Sequence, residues 1–338
     1  MKAVGYYQSL PIDSPESLID LDLPKPVPAG RDLLVEVKAV SVNPVDAKQR
    51  KRAQPQPGAP AAVLGYDAAG LVAAVGPQCS LFKPGDEVFY AGSINRPGTN
   101  SEFHLVDERI VGHKPKSLSF AQAAALPLTS ITAWEMLFDR FGIAPGKPAD
   151  AGALLIVGGA GGVGSIAIQL ARRLTGVTVV ATASRPETRQ WALDLGAHHV
   201  IDHAKPLADG LKAIGVPAID YIFCTRATGQ HFPTFADIVA PQGKIGVIEG
   251  EDALDARALM RKCASLHWEL MFTRPLFQTP DMIAQHKLLE EVSGLVDAGL
   301  IRTTLAEALG TINAANLKKA HALVESQKAR GKLVLEGF

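Results

Sequence analysis

Cysteine is scarce in this chain: Cys79, Cys224 and Cys263 are the only three in 338 residues. They are far apart and odd in number, which excludes a disulfide framework and fits a reducing cytoplasm. Net charge is lacking as well. Lys plus Arg total 34 and Asp plus Glu total 34, so neither nucleic acid nor an anionic membrane is expected as a partner. The N-terminus, Met1-Lys2-Ala3-Val4-Gly5-Tyr6-Tyr7, lacks the apolar run and small-residue cleavage site of a signal peptide and reads as a first strand. One uncharged stretch, 151–171, is long enough to cross a bilayer. It holds Gly152, Gly158, Gly159, Gly161, Gly162 and Gly164, which make a poor continuous helix. A strand, a tight turn and a helix explain it better, and no membrane span is expected. No internal repeat is present.

What remains is an ordinary globular composition, 47% hydrophobic and 20% charged, in a chain long enough for two domains. Up to about residue 127, short apolar runs at 33–42, 62–75, 87–91 and 101–106 alternate with Pro- and Gly-rich turns. That spacing predicts a small barrel-like β domain. From there the rhythm changes. The run 153–157 is continuously apolar, as in a parallel strand buried on both faces, and a helix follows over 163–174. Further strands are expected at 177–183, 199–201, 219–223, 244–248 and 266–272. Helices lie between most of them, such as 186–195, with Pro186 early and Gly196 just past the end. This alternation predicts a doubly wound parallel α/β sheet. After a helix near 282–297, strands at 301–305 and 332–335 flank a helix around 317–326 and are expected to return to the first domain. The biased segment 50–60 is expected to be a mobile loop.

Gly159-Ala160-Gly161-Gly162-Val163-Gly164 fits G-x-G-x-x-G. Alone the pattern is weak, but here it follows a buried strand and opens a helix. The first glycine permits a tight turn, the second lets backbone approach a pyrophosphate, and the third lets helix and strand pack closely. The helix N-terminus then offers free N–H groups to phosphate. The alternative is a turn that serves packing only. Nucleotide choice is written about 20 residues on, where an NAD site needs Asp or Glu for the ribose 2′-hydroxyl. This chain has Thr182-Ala183-Ser184-Arg185-Pro186 there. Ser184, Arg185 and Arg189 suit a 2′-phosphate instead, unless the arginines merely solvate a helix start. A charged hydrogen bond of roughly 1.5–3 kcal/mol corresponds to about a ten- to hundredfold preference, so NADPH is the expected cofactor.

These residues resemble the medium-chain dehydrogenase/reductase superfamily, in particular its zeta-crystallin-like quinone oxidoreductases. The run Leu155-x3-Gly159-Ala160-Gly161-Gly162-x-Gly164-x4-Gln169-x2-Arg172 follows that branch's signature, although Ala151 and Gly152 depart from its usual start. Comparable motifs stand at Val42-Asn43-Pro44-x-Asp46, Leu64-Gly65-x-Asp67-x-Ala69-Gly70, Lys83-Pro84-Gly85-Asp86 and Leu126-Pro127-x-Thr129-x2-Thr132-Ala133. The chain looks most like a bacterial subgroup of zinc-type alcohol dehydrogenase-like proteins. The resemblance covers essentially the whole chain. It implies a GroES-like catalytic domain, 1–126 completed by 298–338, around a Rossmann domain at 127–297.

A catalytic zinc in this superfamily needs Cys, His and acidic ligands with one open position. Asn43 stands where the first cysteine belongs and Tyr66 where the histidine belongs, and the closely spaced cysteines of the structural site are absent. Asp46, Asp67 and scattered histidines such as His104 form no cluster with ligand spacing, so no metal is expected. Without one, hydride transfer to an already electrophilic acceptor, a quinone or an α,β-unsaturated carbonyl, becomes the expected reaction.

The resemblance places Asn43 and Thr129 near the nicotinamide. Asn43 before Pro44 equally fits a turn, and Thr129 a cap on a helix at 130–138. Tyr66 either bonds a substrate oxygen or supplies a proton, or simply packs at a domain edge. Asp46 is a catalytic candidate whose alternative is structural acceptor. Related quinone reductases carry a tyrosine two positions after that aspartate, where this chain has Lys48. His203 is a candidate for the adenosine phosphate or a solvated loop residue, and Arg330 and Lys332 are weaker candidates for the cofactor cleft. The apolar strand 266–272 is expected at a sheet edge, where a homodimer would continue the sheet. Competing readings are a zinc-dependent alcohol dehydrogenase, opposed by the missing ligands, and a non-catalytic NADPH-binding protein. Acceptor specificity is expected in segments such as 50–60 and 93–100.

Overall fold

The computed structural model describes residues 1–53, 55–56, 58, 60–146, 148, 151–250 and 253–338. The chain forms two compact units, residues 1–131 with 272–338 and residues 132–271. The first unit opens with β1 (Lys2–Tyr6), β2 (Ile19–Asp22), β3 (Asp32–Val42) and α1 (Pro44–Arg52). It continues through β4 (Ala62–Val63), β5 (Ala68–Val75), β6 (Glu87–Tyr90), β7 (Phe103–Asp107), β8 (Val111–His113) and α2 (Phe120–Ala124). Then α3 (Pro127–Trp134) runs from the first unit's last residues into the second unit, where a π-helical stretch, Glu135–Arg140, follows.

The second unit carries β9 (Ala153–Val157), α4 (Gly162–Leu174), β10 (Thr178–Thr182), α5 (Pro186–Asp194) and β11 (His199–Ile201). After α6 (Leu207–Ala213) come β12 (Ile219–Cys224), α7 (Thr228–Ile238), β13 (Val239–Val247) and β14 (Ser265–Trp268). The chain returns to the first unit with α8 (Thr273–Phe277), α9 (Ala284–Asp297), β15 (Leu305–Ala308), α10 (Ala314–Glu325) and β16 (Lys332–Glu336).

In the second unit six parallel strands run in the order β11-β10-β9-β12-β13-β14. This is the Rossmann order 3-2-1-4-5-6, whose direction reverses between β9 and β12 and leaves a crevice at their carboxyl ends. All five residues of β9 are buried, which explains its unbroken apolar run. Stretch 151–171 is β9, a turn and most of α4, and among the described residues no helix is long and apolar enough to cross a membrane.

The first unit holds a seven-stranded sheet, order β15-β16-β3-β5-β6-β8 with β7 also on β3. A smaller sheet runs β2-β1-β4. Its core gathers Val35, Val37, Val40, Val72, Val88 and Leu335, the inward residues of strands that alternate faces.

Several boundaries differ from expectation for physical reasons. The run 62–75 breaks into β4 and β5 because Gly65 takes φ +116, a left-handed angle that ends the first strand. The helix expected at 130–138 starts at Pro127, the residue best suited to a first turn, so Thr129 lies inside the helix and caps nothing. β14 stops at Trp268. The tail helix starts at Ala314 because Asn313 caps it, its side chain accepting from the Asn316 amide at 2.9 Å, and the tail strand is Leu305–Ala308. α9 packs within the first unit, along β8. In segment 50–60, Arg50 is buried inside α1 and bonds the Leu10 carbonyl and Glu325; Gln54, Pro57 and Ala59 lie outside the described residues. In segment 93–100, Ser93, Thr99 and Asn100 are buried.

Candidate functional site

In the second unit the turn from β9 to α4 is held by backbone. Gly158 adopts φ +84, and its amide donates to Thr182 Oγ1 at 3.0 Å. The Gly159 amide donates to the Thr182 carbonyl at 3.1 Å. A Cβ on Gly159 would lie 2.7 Å from Ala181 Cβ, and one on Gly164 only 2.3 Å from the Gly158 carbonyl oxygen. Those two glycines serve packing. Gly161 differs: among the described residues, its chain neighbours aside, a Cβ there would meet the Gly158 carbonyl oxygen alone, at 3.4 Å. Gly161, Gly162 and Val163 are partly exposed. The amides of Gly162, Val163 and Gly164 belong to the first turn of α4, where a helix leaves its N–H groups without intrahelical acceptors.

Around this turn the sheet's carboxyl ends gather basic residues. His203 Nδ1 lies 3.1 Å from Thr182 Oγ1, the same hydroxyl that receives the Gly158 amide. Arg226, just past β12, lays its stem over Gly158, with Cγ 3.2 Å from where a Cβ would stand. Burial, then the Arg226 charge, holds the His203 pKa below its usual value. Burial, then His203 and Arg226, does the same to His231. Sequence reading missed Arg226, although its place after the fourth Rossmann strand, at the switch point, is the available signal. Ser184 is exposed and Arg189 half-buried. Arg185 precedes α5, and its Nε lies 3.2 Å from Glu187 Oε1.

The first unit builds a buried polar network where β16, β3 and β5 run side by side. Asp67, just before β5, accepts on Oδ2 from Ser41 Oγ at 2.8 Å, Asn43 Nδ2 at 2.8 Å and Lys332 Nζ at 2.9 Å. Its Oδ1 accepts from the Leu128 amide at 2.7 Å. Lys332 Nζ also donates to Asn43 Oδ1. The Asn43 amide donates to Asp46 Oδ2 at 2.7 Å, fixing the first turn of α1. Burial raises the Asp46 pKa to about 7, against the Asn43 hydrogen bond and the Lys332 charge, which lower it. Tyr66 is buried and meets the Phe272 ring edge-on at 5.3 Å. Burial, then Asp46 and Tyr6, pushes its pKa upward, so its hydroxyl keeps its proton. Thr129 Oγ1 donates to the Leu126 carbonyl at 3.1 Å.

Asn43, Asp46 and Lys332 are therefore brought together, while Lys48 is exposed and Arg330 half-buried. His104 stands apart from this network, held by Tyr90 and the Pro97 carbonyl, with burial lowering its pKa to about 4. Among the described residues no group of three or more His, Cys, Asp and Glu could hold a metal ion. Both Asp67 oxygens already accept hydrogen bonds, and an ammonium stands among them. This donor set does not fit a divalent cation.

An alcohol dehydrogenase GroES-like domain matches residues 29–131, and a zinc-binding dehydrogenase family matches 195–335. A zinc-type alcohol dehydrogenase-like protein of Staphylococcus aureus is 42% identical over 337 residues, 99% of each chain. The crystal structure of a Rhizobium etli protein, labelled a zinc-dependent alcohol dehydrogenase, is 62% identical with a TM-score of 0.96, over 100% of this chain and 98% of that one. The Escherichia coli quinone oxidoreductase complexed with NADPH is 25% identical with a TM-score of 0.82, over 99% of this chain and 100% of that one.

Proposed function

The chain belongs to the medium-chain dehydrogenase/reductase superfamily, among its zinc-type alcohol dehydrogenase-like proteins, and on that premise we propose an NADPH-dependent, zinc-independent reductase of quinones or α,β-unsaturated carbonyls. The observation that carries the metal-free part is Lys332: its ammonium bonds Asp67 and Asn43, in a network that would otherwise be the place for a cation. Bound NADPH supplies the hydride.

In the second unit the amides of Gly162, Val163 and Gly164 hold the diphosphate, the bare Cα of Gly161 gives it room, and His203 stands on the adenosine side. Ser184, Arg185 and Arg189 take the 2′-phosphate. In the first unit Asn43 keeps a second Nδ2 N–H beyond the one given to Asp67, and we assign that donor to the nicotinamide carboxamide. Thr129 donates to Leu126 and so retains acceptor lone pairs for the same group. Tyr66, held neutral by burial, is the assigned donor to the acceptor's oxygen, and Asp46 positions Asn43 through its backbone amide. One proton, taken from water, completes the quinone's reduced form, so Tyr66 need donate only a hydrogen bond to that oxygen.

The reading also includes a homodimer through β14, the last strand in the sheet order. An unpaired edge is stabilised by a second copy that continues the sheet.

The test is kcat/KM for NADPH and NADH across quinones, enals and enones. NADPH is expected to be preferred by about tenfold or more, with turnover on at least one acceptor class. A preference for NADH, or nucleotide binding without oxidation across the whole panel, would overturn the reading.

A further inference from the structure

The turn after β10 carries Ser184 and Arg185 into α5, with Pro186 at the helix's first position. No acid stands at the strand's end, yet the first helical turn brings one to the arginine: Glu187 Oε1 lies 3.2 Å from Arg185 Nε. Both side chains are about half exposed, 44% and 55%. Such a solvated ion pair is weak and readily exchanged for a stronger anion.

We infer that Glu187 is a built-in competitor for Arg185 and thereby limits how strongly this chain prefers NADPH over NADH. The inference rests on the assignment of Arg185 to the 2′-phosphate made above. A guanidinium has five N–H donors in a planar fork, so a phosphate that displaces the carboxylate gains a bidentate partner. One that shares the arginine with Glu187 meets a like charge held on the same cation. NADH presents a neutral hydroxyl there and meets no such repulsion. The carboxylate therefore acts on one nucleotide and not the other.

An acid in the first turn also complements the helix dipole. That role would change the stability of α5 without regard to which nucleotide is bound, which makes the two roles separable. Glu187→Gln keeps the side chain's length and one oxygen acceptor and removes the charge.

The experiment is an equilibrium titration of the full chain with NADPH and NADH by nicotinamide fluorescence, with 2′,5′-ADP and ADP as competitors. It compares wild type, Glu187→Gln, Arg185→Ala and the double variant. Glu187→Gln is expected to tighten NADPH and 2′,5′-ADP about three- to fivefold. NADH and ADP should stay within about twofold, and the gain should shrink when Arg185 is also replaced. Equal tightening of both nucleotides, or no tightening of either, overturns the inference. If Arg185→Ala itself leaves the NADPH-to-NADH ratio at the wild-type value, the 2′-phosphate assignment fails. If Arg185→Ala lowers that ratio but Glu187→Gln does not raise it, the assignment stands and only the competitor role fails.

Discussion

Lys332 and Asp67 are both buried and lie 2.9 Å apart. Burying an ion pair is costly, and removing one partner leaves the other charge uncompensated in a low-dielectric site. Lys332→Met is therefore expected to cost on the order of 3–5 kcal/mol of stability, measured by urea unfolding. Adding Asp67→Asn should recover part of that loss, and a single variant as stable as wild type would contradict the pairing. The members come from positions 41, 43, 67 and 332, and no local pattern announces that they meet. The sequence marks Asn43 and Asp46 because they stand in a motif, and Lys332 only weakly. What joins them is strand register: β16 pairs with β3 so that Leu333 faces Val42, and β5 pairs with β3 so that Ala68 faces Val40. Tertiary pairing of that kind is written in no single segment.

At the scale of elements, the glycine turn was the most legible part of the chain, because a strand, a turn and a helix N-terminus are adjacent in sequence. Its glycines nonetheless differ in kind. Gly164→Ala forces a methyl against a carbonyl oxygen at 2.3 Å and should lower the Tm and abolish nucleotide binding together. Among the described residues Gly161→Ala meets a single contact, at 3.4 Å, and it should fold with a Tm near wild type while weakening NADPH binding about tenfold or more. Parallel losses in both variants would mean that the turn serves packing alone.

The end of the sheet holds an element that the sequence does not announce. Glu269, just past β14, is buried within electrostatic reach of Glu135 in the π-helical stretch, and Arg140 Nε donates to Glu269 Oε2 at 2.8 Å. Burial first, and then the Glu135 carboxylate, raise the Glu269 pKa from 4.5 to about 9, while Arg140 pulls it down. Arg140 also acts on His267, whose pKa is lowered by burial first and then by Lys244 and Arg140. The folded chain thus keeps a proton that the unfolded chain releases above 4.5. The stability it contributes is complete below that value and is lost as pH rises through about 9. Thermal melts across that range should show wild type losing more stability than Glu269→Gln, whose amide cannot titrate. Superimposable pH profiles would contradict a Glu269 that keeps its proton. Sequence reading saw only a strand there, because Glu135 and Glu269 are distant in the chain and each resembles a surface charge.

For the whole molecule, the alternation of strands and helices was enough to reach the Rossmann sheet, and the strand order puts β14 at its end as the apolar pattern suggested. Trp268 and Leu270 are 51% and 49% exposed there, apolar surface that a second copy would cover. If a second copy does, Trp268→Glu should shift the protein from dimer to monomer in light scattering at micromolar concentration. A monomeric wild type would contradict the proposed homodimer. The zinc question is also one of the whole molecule, because it decides which class of reaction the two units serve. The most direct measurement is NADPH oxidation by protein stripped of metal with a chelator, with quinone as acceptor and metal content determined on the same sample. The account predicts full turnover with no stoichiometric zinc. Bound zinc at one equivalent, with activity lost on chelation and restored by adding the metal back, would contradict it.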